Sequence, residues 1–401
     1  MIIVNPNHKN PSPMAAIEPP IWCAYLAAYH QAVEILDAEA EGLSIHETLE
    51  RLYGRQVILV AMGANPSASS TPKMNLVNMI ANRLGGSLCR VAGLHPQAVG
   101  SDYVMPYPEE LIKLTPKWHL LDFSKYRAHN WHCLDGSDRA NYGVIYTSFG
   151  CPFNCSYCNI HALYKTRKVA FRQPEDVLSE IDYLVKVKGV RNLKIADELF
   201  TLNKKHVNAI CDGLIERDYG LNIWAYARVD TVNPKILAKL KRAGVTWLCY
   251  GFESSISAGD KYATELSFDA REMTKMADIN IIGNFMFGLP GDDMEDTWLL
   301  AKELLCEYVN FYVAVPYPGS KWYNDIKEKD TDWSSYSQFA KKMCANSGLV
   351  EFRDRAFLQY FTLPNYQSMI KDRFGQQAVD HIEEMLNWNP RETPSLTASL
   401  S

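Results

Sequence analysis

Cys151-Pro152-Phe153-Asn154-Cys155-Ser156-Tyr157-Cys158 packs three of the chain's ten cysteines into eight residues, at the spacing CxxxCxxC. Thiolates this close repel one another unless a cation or a metal cluster neutralises them. A closed zinc site normally takes four ligands, and no second Cys-x-x-Cys pair completes one here; His161 is the only nearby candidate. An iron–sulfur centre that only carries electrons normally has four cysteines. Three thiolates on a four-iron cluster leave one iron open to a small molecule, which points to chemistry. The other seven cysteines, Cys23, Cys89, Cys133, Cys211, Cys249, Cys306 and Cys344, are scattered. Several lie in apolar stretches and are expected to be small buried hydrophobes.

The triplet follows directly on a strand candidate, Val144–Ser148. Five more strand candidates come after it: 192–196, 222–225, 246–251, 283–287 and 310–315. Helical patterns separate them. Pro174 opens one helix whose Val177, Ile181, Leu184 and Val185 share a face, and Asn233-Pro234 caps and starts another that ends at Gly244. Six strand–helix units of roughly 30 residues predict an open parallel barrel, on which the loops after the strands build the active site.

Upstream, a separate alternation runs through strand candidates 1–5, 33–37, 57–62 and 88–92, with helices at 20–31, 44–53 and 74–84. Ser44 and Glu47 form a capping box for the second helix. This pattern predicts a small parallel sheet wrapped by helices, with ligands at the carboxyl ends of its strands. Between Tyr107 and Ala140 the periodicity lapses. Trp118, Leu120, Leu121, Phe123 and Trp131 would not stay exposed there, so a connector packed against its neighbours is expected. After Trp322 the strand signal stops; 333–388 is expected to be helical, anchored by Phe339, Phe357, Tyr360, Phe361 and Tyr366. The tail 389–401, with Pro390 and Pro394, is expected to fray.

The 401 residues carry 41 Lys+Arg and 46 Asp+Glu, a formal net charge of −5. That balance argues against an obligate nucleic-acid binder. No apolar run reaches the roughly 18 residues of a membrane span, and no basic leader precedes the first apolar run, so a cytoplasmic protein is expected. The basic residues Lys165, Arg167, Lys168 and Arg172 after the cysteine loop are expected to face solvent.

The cysteine motif, with Tyr157 before its last cysteine, resembles that of the radical S-adenosylmethionine superfamily. The resemblance implies that Cys151, Cys155 and Cys158 hold a 4Fe–4S cluster whose open iron chelates S-adenosylmethionine. One-electron cleavage there yields a 5′-deoxyadenosyl radical. Later strand ends are similar to the family's. Asp197-Glu198 stands where relatives place polar groups for the methionine part, in place of the commoner Gly-Gly-Glu. Arg228 lies beyond the third strand, and Gly251-Phe252-Glu253-Ser254 resembles Gly-Ile-Glu-Ser at the end of the fourth. Gly288-Leu289-Pro290-Gly291 matches a turn that lets backbone approach the adenosine, and Pro316-Tyr317-Pro318-Gly319 closes the sixth strand. The resemblance thus implies cofactor-binding roles for Tyr157, Asp197, Glu198, Arg228, Glu253, Gly288, Pro290 and Gly291.

A flavodoxin-like domain before such a barrel resembles the cobalamin-binding class of the superfamily, through Asn5-Pro6, Glu18-Pro19-Pro20, Gly93-Leu94-His95-Pro96 and the stretch Leu120–Tyr126. No Asp-x-His-x-x-Gly motif for an axial imidazole occurs. His8 lies in about the right loop without that context, and a helix usual in the domain is expected to be cut short, since only a few residues separate His95-Pro96 from Asp102-Tyr103-Val104. The expected fold class is α/β: a cobalamin-binding-like, Rossmann-type domain (1–104), a connector (105–140), a partial (β/α)6 TIM-like barrel (141–325) and a C-terminal helical region (326–401).

The implied function is cobalamin-dependent methylation of an unactivated carbon of a small molecule, with an external one-electron reductant of flavodoxin or ferredoxin type and no nucleic acid. The alternatives are a cobalamin-independent cyclase, rearrangement enzyme or dehydrogenase and, more remotely, an iron–sulfur electron carrier. A methylthiolating enzyme acting on transfer RNA would need a second cysteine set, and only Cys23 and Cys89 lie in the first domain.

Overall fold

The computed structural model describes residues 1–8, 14–255, 263–340 and 342–387. The tail expected to fray lies outside them. Two parallel sheets organise the chain. The first contains β1 (Ile2–Asn5), β2 (Glu34–Asp37), β3 (Val57–Val60) and β4 (Cys89–Ala92), in the order β2-β1-β3-β4. β3 is apolar throughout, β1 is apolar up to its last residue, Asn5, and both are fully buried, as central parallel strands covered on both faces must be. The helix Ile45–Leu52 begins with the expected reciprocal cap between Ser44 and Glu47, and the helix Met74–Leu84 has the expected ends. A six-residue helix, Leu94–Val99, follows β4 and is the shortened element anticipated near His95.

The second sheet begins with β5 (Tyr142–Ile145). A short antiparallel pair follows, β6 (Ser148–Phe149) with β7 (Ala170–Phe171). Then come β8 (Asn192–Ile195), β9 (Asn222–Ala227), β10 (Val245–Glu253), β11 (Asn280–Phe287) and β12 (Tyr308–Val313). The six long strands pair in chain order, all parallel, with β5 and β12 as the edges of an open arc. Crossovers through helices such as Pro174–Lys186 and Lys204–Arg217 cover its outside, burying Val177, Ile181, Leu184 and Val185 from the first and Val207, Ile210, Cys211 and Leu214 from the second.

The connector packs inward as expected. Trp118, Leu121, Phe123 and Trp131 are buried, while Leu120 is half-buried. Trp131 plugs the amino-terminal end of the arc, its ring centroid 5.3 Å from Trp224, 5.5 Å from Trp247 and 5.9 Å from Tyr308. One continuous core runs from Ile3, Ile58 and Val60 of the first sheet through this connector into the barrel, while the other face of the first sheet has a smaller core of its own.

The C-terminal expectation needs two corrections. Helix begins only at Ser347; before it, among the described residues from 333, there is one short helical turn, Trp333–Tyr336, because the side chains of Asp330, Asp332 and Ser337 accept from nearby backbone amides. Phe339 is exposed and anchors nothing, whereas Tyr360, Phe361 and Tyr366 are buried and Phe357 is half-buried. Tyr360 and Tyr366 reach down to the carbonyls of Cys306 and Glu307, tying the last helices to the turn before β12.

Candidate active site

The cysteine loop leaves β6 through Gly150, whose φ of 101° belongs to the left-handed half of the map. A Cβ there would meet the Lys168 carbonyl at 2.5 Å, so only glycine lets the returning strand lie against the loop. Cys151, Cys155 and Cys158 are all partly buried, while Asn154 and Ser156 between them are exposed. Burial pushes the Cys151 thiol up and the Cys158 thiol up to about 12. Such thiols ionise only if a strong positive centre joins them, which is the chemistry of a metal–sulfur site. Among the described residues no three His, Cys, Asp or Glu side chains are drawn together around one ion. His161 is not a fourth ligand: its Nε2 lies 2.8 Å from the carbonyl oxygen of Cys151, bracing the loop.

The residues expected around the loop fall into three groups. Asp197 is buried and holds the approach to the loop. Its carboxylate accepts from the Thr147 amide (2.5 Å), the Thr147 hydroxyl (2.6 Å) and the Ser148 hydroxyl (2.6 Å). Its role is therefore to position backbone, and sequence alone did not mark Thr147 and Ser148 as its partners. Glu198 stands beside it, with the Tyr164 hydroxyl at 3.5 Å. Burial, reinforced by the charge of Asp197, raises the Glu198 carboxyl to about 8.

Arg228 and Glu253 converge on the loop from β9 and β10. The Arg228 guanidinium lies 3.8 Å from the centre of the Phe153 ring and is held in a fork by Asp230 at 2.9 and 3.0 Å. A cation stacked on the aromatic between Cys151 and Cys155 stiffens the loop. Glu253 has a left-handed φ of 63°, and the register of β10 against β11 shifts between Gly251 and Glu253. This bulge folds the carboxylate back over Gly251, where a Cβ would collide with it. Burial raises the Glu253 carboxyl to about 7, against the opposing hydrogen bond from Tyr157 and the charge of Arg228. Tyr157 thus links the cysteine loop to the end of β10.

The third group is the turn after β11. Gly288 has φ 89°, its amide donates to Asp292 at 3.0 Å, and Leu349 of the helix Ser347–Phe361 closes over it; Pro290 and Gly291 are exposed.

The two sheets meet at this loop. The hydroxyl of Ser67, in the segment after β3, lies 3.9 Å from Cys158 Sγ, and Tyr146 donates to the carbonyl of Ala64. Lys165 donates to the carbonyl of Gln97 at 2.7 Å. The Ser67 contact was not legible in the sequence, because 91 residues separate the partners. Arg172 corrects an expectation: it is buried, with Nη1 2.6 Å from Glu180, 2.8 Å from the Tyr146 carbonyl and 3.4 Å from the Tyr25 hydroxyl. His8 pairs with Glu39 at 3.2 Å, and His95 is buried with Nδ1 3.1 Å from Thr71 and its ring against Trp333.

Residues 145–304 match the profile of the Radical SAM superfamily. This chain carries a radical S-adenosylmethionine domain. The matched residues run from the end of β5 past β11 and include the whole cysteine loop. Among similar proteins, an uncharacterized methyltransferase of Pyrococcus horikoshii is 29% identical over 277 residues, 65% of this chain and 57% of the relative. The chain thus spans little more than half the length of that relative. The anaerobic magnesium-protoporphyrin IX monomethyl ester cyclase of Rubrivivax gelatinosus is 23% identical over 82% of this chain and 70% of its own. Among solved structures, the radical S-adenosylmethionine methyltransferase TsrM of Kitasatospora setae, with cobalamin and a 4Fe–4S cluster bound, superposes with a TM-score of 0.59. It is 17% identical, over 80% of this chain and 76% of that one. The radical S-adenosylmethionine domain therefore sits in a fold that extends across both sheets.

Proposed function

We propose that this chain is a cobalamin-dependent radical S-adenosylmethionine methyltransferase acting on a small molecule. The observation that carries the proposal is the apposition of the CxxxCxxC loop to the carboxyl-end segment of the first sheet, with Ser67 beside Cys158. Cys151, Cys155 and Cys158 would hold a 4Fe–4S cluster. The segment after β3 that carries Ser67 would border cobalamin beside it. When bound, these groups supply one-electron cleavage of S-adenosylmethionine and a cobalt centre that carries a methyl group. His8 and His95 each engage Nδ1 within the first domain, with Glu39 and Thr71 respectively.

The chain's own residues bind and orient. Glu253, whose carboxyl is raised to about 7, can exchange a hydrogen bond with an amine or a ribose hydroxyl near neutral pH. Asp197 acts on the loop through Thr147 and Ser148, and Arg228 through Phe153. Glu198 adds a carboxyl next to the loop. The Gly288–Gly291 turn would offer backbone groups to an adenosine. Such fixing matters because a reactive fragment must find its target at near-attack distance. The aromatic wall of Trp22, Tyr146 and Phe149 beneath the loop excludes water. An external one-electron reductant completes the scheme.

The similarity to a cyclase over 82% of this chain favours a second reading, in which the same radical chemistry closes or rearranges a ring. The deciding experiment uses anaerobically reconstituted protein with reductant, S-adenosylmethionine and hydroxocobalamin. Formation of 5′-deoxyadenosine, lost in Cys155→Ala, together with cobalamin retained through desalting supports the methyltransferase. Deoxyadenosine without retained cobalamin moves the assignment to the second reading.

A further inference from the structure

The cleavage proposed above consumes one electron, which must reach the cluster from outside the chain. The surface around the cysteine loop indicates what kind of donor fits. Between Asp138 and Glu175 the sequence contains no acidic residue, where the chain average of 46 in 401 would place about four. The same stretch contains Lys165, Arg167 and Lys168, all exposed. They follow the short helix Ile160–Tyr164 and fold back against the loop. Arg167 donates to the carbonyl of Pro152 at 2.6 and 3.2 Å, and the Lys168 carbonyl packs on Gly150, the residue before Cys151. Asn154 and Ser156, between the cysteines, are exposed beside them.

We infer that the Lys165–Lys168 arm is the docking surface for an acidic, low-potential one-electron carrier protein. The inference rests on the cluster assignment made above. A chain of net charge −5 repels an acidic partner at long range, so productive encounter depends on a local positive field at the point of electron entry. In the step itself, the reduced carrier loses one electron, the oxidised cluster gains it, and no bond is made or broken.

The test mixes reconstituted protein with flavodoxin hydroquinone in a stopped-flow instrument, following the flavin semiquinone at several salt concentrations. Methyl viologen radical, a small cation, serves as the second reductant. With flavodoxin, the second-order rate should fall steeply with salt. Lys168→Glu should lower it roughly fivefold or more at low salt, with Lys168→Gln between. The viologen should reduce wild type and Lys168→Glu at equal rates, or the variant faster. A flavodoxin rate indifferent to salt and to Lys168→Glu, while the viologen still reduces the cluster, overturns the docking surface. A cluster that neither reductant reduces overturns the assignment beneath it as well.

Discussion

Glu253 and Gly251 show how one backbone position makes a carboxylate available. The left-handed φ of 63° at Glu253 costs of order 1–3 kcal/mol for a non-glycine residue, and it turns the side chain back across Gly251 toward Tyr157. Replacing Gly251 with alanine puts a methyl group into that carboxylate. Gly251→Ala is expected to lower deoxyadenosine formation at least tenfold while leaving the far-ultraviolet circular dichroism unchanged. A variant with wild-type turnover would remove Glu253 from the site. Asp37 offers a pH readout in the first domain. It is buried at the end of β2, accepting from Asn5 and Tyr126 at 2.9 Å each, and burial raises its carboxyl to about 6. Because the folded state holds this proton more tightly than the unfolded chain, its stability contribution is greatest below about pH 4. That contribution is lost as pH rises toward 6, on the order of 2–3 kcal/mol. Urea denaturation at pH 4 to 7 should show this fall in the wild type and a flatter difference in Asp37→Asn.

Among elements, the connector has the least regular structure and makes some of the most consequential contacts. Trp131 stacks under three strands of the barrel, so the arc is closed from below by a residue outside it. Trp131→Ala removes a large buried ring from a site that cannot collapse without moving β9, β10 and β12. It is expected to destabilise by roughly 3–5 kcal/mol, read as a lower denaturant midpoint with an unchanged slope. The barrel strands themselves were legible: every expected strand is present within a few residues, because buried parallel strands are short apolar runs bounded by turn residues. The stretch 333–346 was not, since its aromatic content matches a helix while the side chains of Asp332 and Ser337 satisfy backbone amides locally.

Across the whole molecule, the first sheet and the barrel share a core instead of meeting as independent bodies. The buried Arg172–Glu180 pair is the polar counterpart of that core. Glu180 also accepts from Trp118 of the connector at 2.7 Å, and Arg172 reaches Tyr25 of the first domain and the carbonyl of Tyr146 in the barrel. Arg172→Ala leaves Glu180 buried without its cation partner, with Trp118 still donating to it. A loss of about 3–5 kcal/mol is expected. The two domains should still unfold in one transition, seen by calorimetry. Two separated transitions would show that the shared core does not couple them.

Local sequence determined the cysteine triplet, the strand–helix alternation on both sides of the connector, and the turn that begins at Gly288. These depend on spacing and on backbone conformations that few residues adopt. Tertiary structure alone decided which groups serve the loop directly and which work at one remove. Asp197 spends its oxygens on Thr147 and Ser148, Arg172 leaves the solvent-facing basic run for a buried pair, and Ser67 comes to Cys158 across 91 residues. Such pairings are set by where the chain's separate elements pack, and burial then fixes the charge each group can carry. Neither quantity is written in a residue's immediate neighbours.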